Sequence, residues 1–456
     1  MSPREASEPA IAPAPAAAPR RDRVALRGDV LHLRADPGAA AEAASCVHFE
    51  PDGWLLAEGG RVVELRAADA PPDPSWPRED WRGHLLLPGF IDLHVHAPQL
   101  DVIGAWGDGL LRWLEDFTYP AEARWADAQH ARRGAWRFVR QLLAHGTTSA
   151  MVFPTVHRHG VDALFEAARE QGMCLVSGKV LMDRNVPEAL RDEVTQAERD
   201  CVALIESWHG RERLRYALTP RFAPSCSDEQ LRMCARLLRI EHPRAGAPYL
   251  QTHVAENRDE LRWVRELYPA SRSYLDVYAG FGLLGRRSVL AHGIWLDDAD
   301  RALLAERGST LAFSPSSNLF LGSGLFDWAR ADAAGVRVAV ASDVGAGTSL
   351  CQLRSAAEAC KVLALQGTRL SAWRALYALT RGAAAALELE PELGHFEPGA
   401  WADVVAWRWA AGELQEHRLG LARSLHERLY AWLHMADERN VAAVYVAGRR
   451  VQHRPS

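Results

Sequence analysis

Short apolar runs alternate with amphipathic stretches through the middle of the chain. The apolar runs have the length and composition of buried β-strands, and the stretches between them are typical of helices that cover a sheet. This alternation predicts repeated βα units and a parallel sheet. Eight such units close into a TIM-like (β/α)8 barrel, so we predict an α/β fold of this type. The eight runs are HLLLPGFIDLH, GTTSAMVF, CLVSGKVLM, LRYALTP, PYLQTHV, SVLAHG, STLAFSP and VRVAVASD.

The two ends of the chain have a different pattern. Short alternating stretches such as VALRGDVLHL near the start, and WADVVAWRW and VAAVYVAGRRV near the end, predict β-strands that pair with one another. We therefore predict a small β-sandwich domain from residues 24–85 and 398–456, and a barrel domain from residues 86–397. Residues 1–23 are rich in Pro and Ala, which predicts a disordered tail.

Composition and charge narrow the class of protein. With 48% hydrophobic and 24% charged residues in 456, the chain has enough apolar residues for a large core. The net charge of −5 and the lack of a dense Lys or Arg block argue against a nucleic-acid partner. The sequence contains no apolar run long enough for a membrane span, and its seven scattered cysteines include no C-x-x-C pair. We therefore expect a cytoplasmic protein with reduced thiols and no membrane partner.

The first barrel run leads into two histidines, His94 and His96, separated by Val95. Side chains alternate along a strand, so both imidazoles lie on the same face. On its own, such a pair is more often a surface pair or a hydrogen-bonded core pair than a metal site. Zinc needs several N, S or O donors that converge from different parts of a chain, so further candidates must come from other strands.

Polar side chains also stand at the ends of three later runs. They are His253 in QTHVAEN, His292 in LAHG and Asp343 in VASDVGAG. Singly, each of these residues is more typical of a buried barrel histidine or a helix cap. The ends of barrel strands converge on one face, however, so together with the His-x-His pair they predict a metal site. Imidazoles and a carboxylate suit Zn²⁺, with Fe²⁺ as an alternative.

This set of strand ends resembles the amidohydrolase superfamily, whose members use metal-activated water for hydrolysis or deamination. A closer resemblance, to the guanine deaminase family among the ATZ/TRZ-like deaminases, extends through long loops in the same order along the chain. It covers nearly the whole chain beyond the N-terminal tail. The segments that carry it are PGFIDLHVHAPQLDVIGAWGDGLLRWLEDFTYPAEARW, GKVLMDRN, TPRFAPSCS, QTHVAEN and SPSSNLFLGSGLFDWARADAAGVRVAVASDVGAGTS.

The resemblance implies a role for each candidate residue. Glu256 would act as proton shuttle and Asp343 would orient the nucleophile. Gln99 and Arg221 would hydrogen-bond the purine edge, and Phe222 would stack against the base. The implied reaction is the deamination of guanine to xanthine and ammonia, in purine catabolism, by a homodimer with one Zn²⁺ per subunit. The implied metal ligands are His94, His96, His253, His292 and Asp343.

Three alternatives stay open from the sequence. Lys179 in GKVLMD could be a carboxylated lysine that bridges two metals, in place of the single metal that we expect. The substrate could be another amino-heterocycle, such as a modified purine or a triazine. The chain could also be a noncatalytic scaffold on an amidohydrolase frame, because fold alone does not imply function. The presence of all five implied ligands and of Glu256 speaks against the scaffold.

Overall fold

The computed structural model describes residues 23–38 and 44–453. The predicted N-terminal tail, residues 1–23, lies outside these ranges except for its last residue. In the described part, parallel strands form a barrel with helices around it, and a second, mixed sheet lies beside the barrel. None of the helices in these two ranges is long and apolar enough to cross a membrane.

Both ends of the chain contribute strands to the second sheet. Its seven strands, numbered in chain order, are β1 (Arg23–Leu33), β2 (Val47–Glu58), β3 (Arg61–Arg66), β4 (Arg78–Pro88), β14 (Val404–Arg408), β15 (Val441–Val446) and β16 (Arg449–His453). They hydrogen-bond in the order β16-β15-β14-β4-β1-β2-β3, so the predicted pairing of the chain ends is confirmed at β4 and β14. The sheet curls so that its two ends approach each other. Gly448 in the β15–β16 turn lies next to Gly60 in the β2–β3 turn, since a Cβ built on Gly448 would be 3.7 Å from the Cα of Gly60.

The barrel is built from parallel strands in the middle of the chain, as predicted. These strands are β5 (Phe90–His96), β6 (Thr147–Phe153), β7 (Cys174–Ser177), β8 (Val180–Leu181), β9 (Leu214–Pro220), β10 (Tyr249–Val254), β11 (Ser288–His292), β12 (Thr310–Phe313) and β13 (Arg337–Val340). Neighbours along the chain pair in the order β13-β12-β11-β10-β9-β7-β6-β5, with β8 also on β9. Hydrogen bonds from Asp343 N to His94 O (2.8 Å) and from His96 N to Val344 O (2.9 Å) link the first strand to the last. All eight predicted runs contain barrel strands, which confirms the α/β barrel.

One predicted run, HLLLPGFIDLH, is divided between the two sheets. Its first part is the end of β4, which pairs with β14 and extends to Pro88, beyond the predicted domain boundary at residue 85. Gly89 is the residue at which the chain changes sheets. Its N–H donates to Asp403 O (3.0 Å), and a Cβ there would overlap the side chain of Thr148. The last four residues of β4 and all of β5 are buried, so the hydrophobic pattern shows one continuous run.

Helices connect and cover the strands. They are α1 (Leu110–Trp113), α2 (Tyr119–Ala123), α3 (Ala128–Ala144), α4 (Arg158–Gln171), α5 (Val194–Trp208), α6 (Asp228–Leu237), α7 (Arg258–Leu267), α8 (Tyr274–Gly280), α9 (Asp298–Arg307), α10 (Pro315–Phe320), α11 (Trp328–Ala333), α12 (Gln352–Leu365), α13 (Ala372–Leu379), α14 (Arg381–Ala386), α15 (Glu413–Gly420) and α16 (Leu425–Met435). A π-helical turn, Leu114–Thr118, joins α1 to α2. Helix α16 packs against the second sheet, where the Trp432 ring meets Trp407 edge to face at 5.4 Å.

Apolar and polar side chains separate along the barrel axis. Cys174 and Tyr249 are the first residues of β7 and β10, and Ile91 and Val289 are the second residues of β5 and β11. These four residues belong to one apolar cluster that also contains helix α14, so α14 covers the end of the barrel where the strands begin. The opposite end, where the strands finish, is the end at which barrels of this kind carry their functional groups.

Candidate active site

The predicted histidines and Asp343 meet at the end of the barrel where the strands finish. His96 and His292 are the last residues of β5 and β11, His253 is next to last in β10, and Asp343 follows β13. His94, His96, His292 and Asp343 are each at most 4% exposed. His292 and Asp343 have φ angles of 70° and 50°, a left-handed backbone that is unusual outside glycine and is typical of constrained functional sites. The structure thus brings all five predicted residues together.

Four of these residues have the spacing of metal ligands. His94, His96, His253 and Asp343 each offer one donor atom, and these atoms lie within 4.8 Å of one another. His96 Nε2 lies 3.2 Å from His253 Nε2 and 3.4 Å from Asp343 Oδ1, which lies 3.1 Å from His94 Nε2. Tetrahedral bonds of about 2.1 Å put ligand atoms about 3.4 Å apart, so the four donors fit a zinc-sized cation. Apart from its contact with Asp343, the buried His94 Nε2 has no hydrogen-bond partner among the described residues, which also fits an atom available to a metal.

Hydrogen bonds determine which ring nitrogen of two histidines faces this group. His253 Nδ1 lies 2.7 Å from Arg221 O, and His292 Nδ1 lies 2.9 Å from Asn318 Oδ1. Because both oxygens are acceptors, each Nδ1 carries the proton and each Nε2 presents a lone pair. His292 Nε2 lies 3.3 Å from Glu256 Oε2. His292 therefore stands beside the group of four and links it to Glu256.

Burial determines the charge of the four-residue group. It lowers the pKa of His94, lowers that of His96 to about 3, and lowers that of His253 well below the usual range. These imidazoles are therefore neutral, which is the form that binds a metal. Burial opposes ionisation of Asp343, but the adjacent His94 and His96 outweigh it and hold the pKa of Asp343 well below its usual range. Three neutral nitrogens and one carboxylate suit Zn²⁺ or, as the alternative, Fe²⁺.

Glu256 lies between β10 and α7 with its carboxyl beside the group of four. Ser323 Oγ donates to Oε1 (3.2 Å), while Oε2 faces His292. Burial, together with the charge of Asp343, raises the pKa of Glu256 to about 8. A carboxyl group that titrates near neutral pH can both accept and donate a proton, so this position suits general acid–base catalysis.

Glu260 supports Glu256 and was not among the predicted site residues. Its Oε2 accepts the backbone N–H groups of Glu256 (3.0 Å) and Asn257 (3.3 Å), and Tyr274 Oη donates to its Oε1 (2.7 Å). Burial and the neighbouring Glu256 raise the pKa of Glu260 to about 7. The sequence signal for this contact is the N-x-x-E capping box at the start of α7, which ties the first helical turn to the loop that carries Glu256.

Gln99 and Arg221 form a polar wall of the cavity, and Glu122 holds both of them. Arg221 Nη1 donates to Glu122 Oε1 (2.7 Å) and Oε2 (2.8 Å), and Gln99 Nε2 donates to Oε1 (3.3 Å). All three residues are at most 2% exposed. Glu122 comes from α2, which follows the loop after β5, whereas Arg221 directly follows β9. A single acidic residue in a short helix matches no motif, so the sequence did not single out Glu122.

This wall and most of the group of four line one cavity, whose empty space of about 400 Å³ includes open solvent. Phe222 lies on its apolar side, where its ring meets Trp263 edge to face at 5.9 Å. All predicted site residues except His94 line the cavity. The lining residues are His96, Gln99, Leu110, Trp113, Leu114, Arg221, Phe222, His253, Glu256, Glu260, His292, Leu321, Asp343 and Ala346.

Lys179, the candidate for a carboxylated lysine, makes other contacts. Its Nζ forms an ion pair with the buried carboxylate of Asp192 and lies 3.4 Å from Val180 O. An amine paired in this way is a structural cation rather than a metal bridge. The chemistry of the site therefore needs only the donors at the strand ends.

Known proteins resemble this chain over nearly its whole length. Guanine deaminase of Escherichia coli K12 is 43% identical over 434 residues, which are 94% of this chain and 98% of that protein. A solved structure of E. coli guanine deaminase matches with a TM-score of 0.90 at 41% identity and covers 95% of this chain and 100% of that chain. Guanine deaminase from C. acetobutylicum, solved with guanine bound in its active site, matches with a TM-score of 0.84 at 26% identity and covers 94% of this chain and 100% of that chain.

A family model supports the same assignment. Residues 85–451 match the model of the Amidohydrolase family, a span that begins within β4 and includes the barrel and the last strands. This match and the 43% identical relative confirm the resemblance found in the sequence. The chain belongs to the amidohydrolase family.

Proposed function

We propose that this protein hydrolyses guanine to xanthine and ammonia, as a metal-dependent aminohydrolase of purine catabolism. The observation that carries the proposal is the buried group of three imidazoles and one carboxylate beside Glu256, across a cavity from Gln99 and Arg221. The relatives that bear the name guanine deaminase, and that match almost the full chain, support guanine as the substrate.

Glu256 carries the protons in the proposed reaction. His94, His96, His253 and Asp343, with His292 beside them, would hold a divalent cation, which would supply the Lewis acidity that makes water nucleophilic at neutral pH. Glu256 takes a proton from the water as its oxygen attacks the ring carbon that bears the amino group. It then delivers that proton to the ring nitrogen. As the C–N bond breaks, it takes the remaining proton from the added hydroxyl group and gives it to the departing amine, which leaves as ammonia, while the hydroxyl becomes the new oxo group. The ionised Asp343 accepts a hydrogen bond from the same water and orients it.

Three residues bind the purine in this proposal. Arg221 and Gln99 present N–H groups in the cavity, where a planar base with acceptor atoms on one edge can meet them. Phe222 supplies an apolar surface beside the base. Glu256 lines the same cavity as these residues, so a base bound there is close to the proton shuttle.

The metal, the assembly and the location belong to the same proposal. We propose one Zn²⁺ per subunit, with Fe²⁺ as the alternative, on the basis of the donor set and its spacing. The seven free cysteines support a reducing, cytoplasmic location. The two separate sheets support a small domain from residues 24–85 and 398–456 beside a barrel domain from residues 86–397. A homodimer is the assembly that we expect, and sedimentation velocity would test it.

The experiment that tests the function measures ammonia release and product mass with purified protein whose zinc content has been verified. Guanine, adenine and cytosine are incubated separately. We expect xanthine from guanine and no product from the other two bases. No turnover of guanine by the zinc-loaded protein would refute the proposal, and turnover of a modified purine or a triazine would then move the substrate to that class. A protein that never retains a metal would point to the noncatalytic scaffold.

A further inference from the structure

Glu122 in α2 connects two site residues that are distant in sequence, Gln99 after β5 and Arg221 after β9. Its carboxylate accepts Nη1 of Arg221 with both oxygens and Nε2 of Gln99 with one of them. Glu122 is 1% exposed, so its charge is compensated by these partners rather than by water. The carboxylate therefore lies behind the polar wall, on the side away from the cavity, whose lining does not include it.

These contacts fix the orientation of the Gln99 amide. Its Nε2 donates to Glu122 Oε1 (3.3 Å), and its Oε1 accepts the N–H of Gly345 (3.3 Å). A carboxylate only accepts and a backbone N–H only donates, so the flipped amide would face an acceptor with its oxygen and a donor with its nitrogen. The second N–H of Nε2 is the polar group that Gln99 keeps for a ligand.

Arg221 adds donors of the same kind. A guanidinium has five N–H groups and no acceptor. The contacts with Glu122 use Nη1, so they leave the N–H groups of Nε and Nη2 for other acceptors, and Arg221 is one of the residues that line the cavity. Both side chains of the wall therefore offer N–H groups, and the one acceptor between them, Gln99 Oε1, is turned toward the N–H of Gly345.

We infer that Glu122 is a specificity-determining positioning residue, which makes this wall donor-only and so selects a purine with an oxo group at C6 over one with an amino group there. The inference rests on the proposed function and deepens it. The O6 and N7 atoms of guanine both accept hydrogen bonds, whereas a 6-amino group donates and would meet N–H groups that it cannot pair with. Glu122 itself touches no substrate.

The test compares guanine with 2,6-diaminopurine, which has the same 2-amino leaving group but an amino group at C6. The variant is Glu122→Gln, which has the same shape but can turn its own N–H toward Gln99 and release the amide. We expect the preference for guanine, measured as the ratio of the two kcat/KM values, to fall at least about tenfold, mainly because KM for guanine rises. An equal loss of kcat/KM for both substrates would mean a merely structural role and would overturn the inference.

Two further variants serve as controls. Glu122→Asp keeps the carboxylate, and we expect it to keep the preference even if its rates fall. Glu115→Gln removes an exposed carboxylate from the same helical segment, where it pairs only loosely with Arg112 at 3.6 Å, and we expect wild-type values. A lost preference in either control variant would contradict the assigned role of the Glu122 charge.

Binding by the unmodified protein gives an independent measurement if Glu122→Gln does not fold. Hypoxanthine has the oxo group at C6 and lacks the 2-amino group, whereas adenine has the amino group at C6. Calorimetric titration of the metal-loaded protein should show hypoxanthine binding at least about tenfold more tightly than adenine. Equal affinities would overturn the donor-only wall. Absence of guanine turnover with this binding preference intact would refute the proposed reaction and leave the wall standing.

Discussion

Replacing Glu256 by Gln isolates proton transfer from the other contributions of the site. Glutamine has the same size as glutamate. Its Oε1 can still accept the hydrogen bond that Ser323 Oγ donates to Glu256 (3.2 Å). Its amide nitrogen can donate to His292 Nε2, which lies 3.3 Å from Glu256 Oε2. Burial raises the pKa of Glu256 to about 8, so its protonated form is accessible, and the amide of glutamine resembles that form. The substitution should therefore leave the fold, the metal-ligand group and the cavity unchanged.

The expected loss is confined to kcat. Acid–base catalysis by one positioned side chain contributes about 100- to 10,000-fold, which at about 1.4 kcal/mol per tenfold is about 3 to 6 kcal/mol of barrier. KM for guanine should change by less than about threefold, since the residues proposed to bind the base are untouched.

The assay follows the loss of guanine absorbance, with metal content measured by atomic emission on the same samples. Glu266→Gln is the matched control, because Glu266 is an exposed carboxylate on the same helix, α7. A Glu256→Gln protein with normal metal content and kcat within tenfold of the wild type would refute the proton-shuttle role.

Three further predictions concern stability. Asp403→Asn leaves the buried Arg213 without its ion partner and should lower the free energy of unfolding by about 3 to 5 kcal/mol in urea titrations; a loss below about 1 kcal/mol would contradict this. Gly89→Ala should destabilise by about 1 to 3 kcal/mol, because its Cβ would meet Thr148, whereas Gly412→Ala meets nothing within 4 Å and should be neutral. Removal of metal by a chelator should lower Tm, and added Zn²⁺ should restore it; an unchanged Tm would argue against a bound metal.

Much of the site could be predicted because its ligands carry local signals. His94 and His96 stand two residues apart at the end of an apolar strand, and His253, His292 and Asp343 stop similar runs. The rule that barrel strands converge at their C-terminal ends then brings these positions together without any knowledge of distances.

Other features of the fold and the site depend on tertiary contacts that produce no recognisable pattern in the sequence. Glu122 acts through Arg221, 99 residues away along the chain, and its helix has no distinctive pattern. The change of sheet at Gly89 was hidden because β4 and β5 are both apolar where they meet. The position of His292, whose Nε2 lies 3.3 Å from Glu256 Oε2 and 3.7 Å from Asp343 Oδ2, is defined only by the folded structure.

The order of strands in the second sheet has a consequence for synthesis of the chain. Strands β1 to β4 emerge from the ribosome first, but β14, the partner of β4, follows only after the whole barrel has been made. Until then the edge of β4 that faces β14, with Leu85, Leu86 and Leu87, has no strand to pair with, although the other edge can pair with β1. An unpaired apolar edge is a site of intermolecular association. Nascent chains, and products truncated before β14, should therefore depend on chaperones far more than the finished protein does.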